Sequence, residues 1–335
     1  MITSNLPSRQ PKREVWSRAR LQHERAITLG HSIDATTSRN YSSALNSYLD
    51  FVKKHQFDVE PTAETLSYYT VYLSHYIKPD SVDTYLSGIC QQLEPIFPNV
   101  RLNRKAPLVR QTLDGCKQLK AVATTRKHAL TIRDLITVIE HYSNSSDHDD
   151  LLFVAQIRVI VGFFALMRLG ELTFPDDKTL HNPAKSSKRT SVTTENDSFK
   201  FFLPGHKADR FFEGNNIVLM KTTDGINVFQ HFANYLNSRD HMYPFSSPLW
   251  IRKNGTVPTR RFFIEHLRQH FNRNIAGQSM RAGGATALAE NGIPPSLIQA
   301  MGRWSSDTFR IYVRKNPVLI QAMIHSKSIT SLSDI

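Results

Sequence analysis

Cysteine is scarce in this chain of 335 residues. Cys90 and Cys116 stand alone, and neither is near a second ligand pair at zinc spacing, so a disulfide framework and a metal knuckle are both excluded as organising devices. Both read as core thiols. Long apolar runs are missing too. The longest, Val159 to Met167, is far shorter than the roughly 20 residues that a bilayer span needs, and it reads as a buried helix. The segment Met1 to Arg20 has no apolar stretch and carries Arg9, Lys12, Arg13, Arg18 and Arg20, which argues against a secretory signal. The expectation is an intracellular protein without membrane contact, nuclear if the host is eukaryotic. Acidic residues are also in deficit, 29 against 42 Lys plus Arg, leaving +13 and a pI near 9.8. Such a balance attracts polyanions through phosphate contacts and counterion release, which makes nucleic acid the leading partner class.

What is present is mainly helical periodicity. Tyr41, Ala44, Leu45, Tyr48, Leu49 and Val52 follow helical spacing, with Thr36 and Thr37 as upstream caps. Three further patterns follow Pro61-Thr62, Pro79 and Pro107, so the first third reads as a small helical bundle. Ala121 to His128 is short, basic and without apolar period, and reads as a linker. Thr131 with Asp134 resembles a capping box that opens a new helical region. Beyond it, Leu180 to Ser198 reads as loop, Phe199 to Leu203 and Ile217 to Met220 read as strands, and helical patterns resume from Phe229. The expected organisation is a basic segment over 1–30, a helical bundle over 31–123, a linker over 124–129, and a mainly α domain with a small β insert over 130–335.

Four places carry candidate chemistry. Arg168, in Arg168-Leu169-Gly170-Glu171, follows the apolar run, so its guanidinium would stand at that helix's end, where a planar fork suits phosphate oxygens. Taken alone, an Arg and a Glu three apart are more often a surface ion pair. Lys207, in Gly205-His206-Lys207-Ala208, lies between the two expected strands, where a hairpin tip can present an ammonium; alone it is a solvated turn. Gln278-Ser279-Met280-Arg281-Ala282-Gly283-Gly284 sets a second arginine early in a helix whose glycine pair implies a tight contact, since each glycine there costs about 1 kcal/mol relative to alanine. Last, in Gly302-Arg303-Trp304-Ser305-Ser306-Asp307-Thr308-Phe309-Arg310-Ile311-Tyr312, a cation precedes a tyrosine by nine residues.

Taken in order, Arg168, Lys207, Arg281, Arg303-Trp304 and Tyr312 resemble the catalytic set of the tyrosine recombinases, the integrase class of phage, bacteria and mobile elements, over nearly the whole chain. The segments around Arg281 and Arg303 look most like recombinases of eukaryotic, crypton-like transposable elements. The resemblance implies an N-terminal core-binding bundle and a C-terminal catalytic domain that clamp double-stranded DNA, a Tyr312 nucleophile, no cofactor or metal, and a homotetramer on two duplexes, with Pro317 to Ile335 available for exchange between neighbours. It implies site-specific cleavage and rejoining through a 3'-phosphotyrosyl link. Gln278 stands where the family usually has His or Lys and cannot exchange a proton at neutral pH. Trp304 is expected to position and Arg303 to assist. A recombinase-derived DNA-binding protein impaired in cutting is the alternative, and a type IB topoisomerase shares the tyrosine chemistry. A metal-dependent nuclease would have to use Asp147-His148-Asp149-Asp150, which instead reads as a helix N-terminus.

Overall fold

In a computed structural model of the protein, the described residues are 13–30, 32–120, 127–161, 166–205, 209, 213–220 and 228–304. The chain forms two compact units, Met1–Thr124 and Thr125–Ile335.

The first unit contains α1 (Arg18–Gly30), α2 (Ala35–His55), α3 (Ala63–Ser74), α4 (Pro79–Leu93), α5 (Val100–Lys105) and α6 (Pro107–Leu119). Local chemistry sets its boundaries. The cap of α2 is Asp34, two residues ahead of the expected Thr36, and its carboxylate accepts from the Thr36 N–H at 2.9 Å. Gln56 ends α2 in the left-handed region at φ 59°, and the Thr62 hydroxyl caps α3. Pro79 and Pro107 occupy first helical positions, where a missing N–H costs nothing. The core is Tyr48, Phe51 and Val52 of α2 against Leu66, Tyr69 and Leu73 of α3, Val82, Leu86 and Ile89 of α4, and Val109 and Leu113 of α6. Gly88 brings α4 hard against α2, since a Cβ there would lie 2.9 Å from that of Ala44. Cys90 and Cys116 are buried free thiols.

The second unit opens with Lys127 and His128 hydrogen-bonded to the Arg273 and Asn274 carbonyls, which ties both residues to this unit. Of the expected linker, 124–126 lies outside the described residues, and Ala129 follows His128. It contains α7 (Ile132–His141), α8 (His148–Val161), α9 (Leu169–Leu172), strands β1 (Thr193–Glu195), β2 (Ser198–Leu203) and β3 (Asn215–Met220), then α10 (Val228–Met242), α11 (Arg260–His270), α12 (Gly277–Glu290) and α13 (Pro295–Met301). The Thr131–Asp134 capping box closes in both directions. Helix α8 is the spine of the unit: Leu152, Phe153, Val154, Ala155, Ile157 and Val159 are all buried, as expected of a helix apolar on every side. The sheet runs β1-β2-β3, antiparallel throughout. On β2 alternate residues Phe199, Phe201 and Leu203 turn inward, pairing across with Leu219, Ile217 and Asn215. Phe199 stacks on Phe229 and Phe201 meets Phe232, which fastens the sheet to α10.

Three expectations need amendment. The stretch read as loop over Leu180 to Ser198 also holds β1 and 3-10 turns at Pro183–Lys185 and Arg189–Ser191. The basic N-terminal segment contains α1. The apolar run ending at Met167 is not one helix with Arg168 at its close: α8 is described to Val161, Leu166 takes φ 39°, and Arg168 is instead the N-cap of the next helix, α9.

Candidate active site

Helix α9 is a single turn, and its neighbours hold it in place. The buried Gln156 side chain of α8 donates to the Leu172 carbonyl at 3.0 Å, the Thr173 hydroxyl bonds back to Leu169, and a Cβ on Gly277 would come 3.0 Å from the Leu169 side chain. The first turn of α12 therefore lies directly against α9.

On that platform one carboxylate gathers two cations. Glu171 accepts from the Arg168 backbone N–H at 2.9 Å, from Arg168 Nη1 at 3.1 Å and from Arg303 Nη2 at 2.9 Å. Its side chain is 5% exposed, against 27% for Arg168 and 11% for Arg303. The pair three residues apart is therefore a buried bridge rather than a surface one. The Arg303–Glu171 contact links positions 132 residues apart in sequence. Only Arg168 keeps substantial exposure, so its guanidinium can meet an anion while Glu171 fixes its direction.

Arg303 reaches Glu171 from an unusual backbone. It sits at φ 51° in the turn after α13, where Arg303 N–H bonds to Ala300 and Trp304 N–H to Gln299. That is the left-handed helix ending usually given to glycine, and a bulky residue there costs on the order of 1–3 kcal/mol. The same turn holds Arg281. Its buried guanidinium lies 4.3 Å over the Trp304 ring and donates to the Gly302 carbonyl. Gly302 cannot be larger, because a Cβ would come 2.0 Å from the Trp304 ring. Trp304 itself is buried with Leu166, Ala285, Leu288, Ala289 and Ile298.

The glycine pair expected to mark a tight contact does so at Gly283, where a Cβ would fall 1.8 Å from the Leu130 carbonyl oxygen. Leu130 N–H also bonds to the Ser279 carbonyl at 3.0 Å, so the chain entering the second unit runs along α12. Gln278 is exposed on the first turn of α12, three residues before Arg281.

The structure thus brings Arg168, Arg281, Arg303 and Trp304 to one place, with Gln278 on the helix that carries Arg281. Lys207 and Tyr312 lie outside the described residues, as do Ser305, Ser306 and Pro317 to Ile335. The β2–β3 register does make residues 204–214 the connection between the two strands. Glu171 was missed as a site residue; its signal was the spacing from Arg168, which has the same form as an ordinary surface pair. The acidic run at 147–150 is committed elsewhere. Asp149 binds Arg252 at 2.9 Å and the Lys253 N–H, Asp147 binds Lys253 Nζ at 2.9 Å and accepts the Asp149 N–H, Asp150 accepts from Ser145, and His148 bonds to Ser238 and the Ile251 carbonyl. The Lys253 contact, with backbone N–H groups, holds the Asp147 carboxyl below the usual carboxylate range.

No protein-family model and no curated protein matches the sequence. Solved structures do. The site-specific recombinase XerH, in a post-cleavage complex with its palindromic difH substrate, matches with a TM-score of 0.57 at 16% identity over 88% of this chain and 79% of that one. A lambda integrase dimer bound to a COC' core site gives 0.51 at 13% identity over 88% and 76%. The chain has the tyrosine recombinase fold. The Tn1549 transposon integrase in complex with transposon right end DNA is similar as well, with a TM-score of 0.50 at 11% identity over 81% of this chain and 93% of that one. No helix among the described residues is long and apolar enough to cross a membrane.

Proposed function

We propose that this chain cuts and rejoins duplex DNA through a 3'-phosphotyrosyl intermediate, in site-specific recombination or integration of a mobile element. The observation that carries the reading is the Glu171 carboxylate holding Arg168 and Arg303 together beside the Arg281–Trp304 stack, in a chain of this fold and of charge +13. On this reading residues 31–123 grip DNA as a core-binding domain, 124–129 link, and 130–335 catalyse, with the protein working as a homotetramer on two duplexes.

The chemistry follows from charge. The Tyr312 oxygen attacks a backbone phosphorus, the bond to the 5'-oxygen breaks, and Lys207 delivers a proton to that leaving oxygen. Ionising a tyrosine of ordinary pKa at pH 7 costs about 4 kcal/mol, which a cationic site reduces. Arg168 and Arg281 neutralise the non-bridging oxygens as charge builds on the phosphoryl group. Arg303 orders Arg168 through Glu171, and Trp304 fixes the plane of Arg281. Gln278 can hydrogen-bond a phosphate oxygen without moving a proton. The covalent link conserves phosphodiester energy, so a 5'-hydroxyl from another strand reverses the step.

The test begins with covalent capture of cellular DNA on the wild-type protein and sequencing of the attached ends, which supplies a substrate. On a nicked version of that substrate, Tyr312→Phe abolishes the adduct while binding survives; an adduct that persists removes Tyr312 as nucleophile. A 5'-bridging phosphorothioate, whose leaving group needs no proton, rescues Lys207→Ala; absence of rescue removes Lys207 as the acid. Gln278 favours one other reading, a DNA-binding protein that no longer cuts, and that protein captures no cellular DNA covalently while still binding duplex DNA in a gel shift.

A further inference from the structure

Helix α12 is held from two opposite sides. Two residues along an α-helix turn the chain by about 200°, so Arg281 and Gly283 look to opposite faces. On the first face Gly277, one turn before Arg281, packs on Leu169 of α9, and the Arg281 guanidinium lies over the Trp304 ring and donates to the Gly302 carbonyl. On the second face lies the stretch 127–130, by which the chain enters the second unit.

That stretch is fastened along its length. Lys127 Nζ donates to the Arg273 carbonyl at 2.7 Å, the His128 N–H to Asn274 at 2.9 Å and the Leu130 N–H to Ser279 at 3.0 Å, while the Leu130 side chain is buried in the same core as Met280. The turn that receives it is closed by its own bonds. Arg268 Nη1 donates to the Asn272 and Ile275 carbonyls at 2.8 and 2.7 Å, and the Ser279 hydroxyl accepts the Ala276 N–H at 3.0 Å. Gly283 completes the contact. A Cβ there would meet the backbone N, C and O of Leu130, and backbone cannot swing aside as the end of a side chain can. A glycine in a helix interior costs about 1 kcal/mol relative to alanine, and what it provides here is this close approach. Any larger residue has to displace either the entering chain or the helix.

We propose that residues 127–130 act as a strap that seats α12 from behind and thereby positions Arg281 against Trp304, so that strand cutting depends on how the chain enters the second unit. Lys127, Leu130 and Gly283 are then positioning residues, which act through Arg281. A closely packed helix transmits a shift at Gly283 to a guanidinium two residues away, and a misplacement of about 1 Å costs on the order of 100-fold in rate. The consequence for cutting rests on the reading of Arg281 as a phosphate-binding residue; the seating of α12 does not.

The test uses the full chain carrying Trp16→Phe, which leaves Trp250 and Trp304, 2% and 8% exposed, as its tryptophans. Gly283→Ala raises acrylamide quenching of their emission several-fold, Lys127→Met raises it less, and Lys127→Arg, which keeps a donor for the Arg273 carbonyl, leaves it near the starting value. Adding Trp304→Phe removes the rise. No rise in either Gly283→Ala or Lys127→Met overturns the proposal, and so does a rise that survives Trp304→Phe, which reports loosening around Trp250 instead. At saturating nicked DNA, Gly283→Ala lowers the rate of adduct formation by about 100-fold while duplex affinity holds. Raised quenching with an unchanged adduct rate overturns the dependence of cutting on the strap. If the unsubstituted chain forms no adduct, the cutting reading falls and quenching alone decides the strap. If Gly283→Ala does not fold, the two Lys127 variants decide it.

Discussion

Glu171 shows how much a single carboxylate can organise when it is taken out of water. One arginine partner stands three residues away on the same helical turn, the other comes from 132 residues further along the chain, and this Arg303 is itself nearly buried. Removing one member of such a pair leaves an uncompensated buried charge, which costs about 3 kcal/mol or more. Glu171→Gln is therefore expected to lower stability by about 3 kcal/mol in urea unfolding. It should also slow covalent adduct formation by about 100-fold, the scale associated with misplacing a catalytic group by about 1 Å. Affinity for duplex DNA should change little, since no cation is lost. A variant with unchanged adduct rate and reduced stability would leave Glu171 a purely structural residue.

Between α7 and α11 the second unit is fastened by polar aromatic contacts. His141 and His270 rings lie 4.9 Å apart, His270 Nε2 is 3.2 Å from the Tyr142 hydroxyl, and that hydroxyl donates to Gln269 at 3.1 Å. Burial, then the neighbouring His141 and His266, hold the His270 imidazole below its ordinary value of 6.5. Burial pushes the Tyr142 phenol up to about 12, so it stays protonated through neutral pH. The sign follows from linkage. Below pH 6.5 the unfolded chain binds this proton more readily than the folded one, so the contribution of His270 is fully present above 6.5 and is lost as pH falls through its folded value. The midpoint of urea unfolding should fall below pH 6.5, and His270→Gln should flatten that slope; a slope unchanged in the variant would place its source elsewhere. These contacts also mark what sequence could not show. Helices α2, α3, α4 and α6 of the first unit were legible because their apolar periods, Pro79 and Pro107 are local signals, whereas α1 and the short α5 were not read. The Thr131–Asp134 box and the two longer strands were legible for the same reason. Helix α9 was not, because one turn has no period to read, and β1 was hidden in a polar stretch whose order comes from pairing with β2. The arginines could be listed from sequence, but their union through Glu171 depends on a return of the chain from residue 303 to 171.

At the scale of the whole molecule, with an excess of 13 positive charges, the proposed DNA binding should respond to salt through the number of phosphates it neutralises. Each phosphate neutralised releases condensed counterions, so the logarithm of affinity falls linearly with the logarithm of salt at roughly 0.9 per contact. If the protein engages about six phosphates, affinity drops by roughly 1,000-fold between 50 and 200 mM salt. Tyr312→Phe should keep both the slope and the affinity, because a phenol releases no counterion. Arg168→Ala should reduce the slope by about one, since it is the arginine of the Glu171 bridge with the more exposed side chain. Filter binding on duplex DNA across that salt range reads all three. A Tyr312→Phe slope shallower than wild type would mean that the residue shapes the phosphate surface, whereas an unchanged Arg168→Ala slope would mean that its guanidinium serves only Glu171 and never meets DNA.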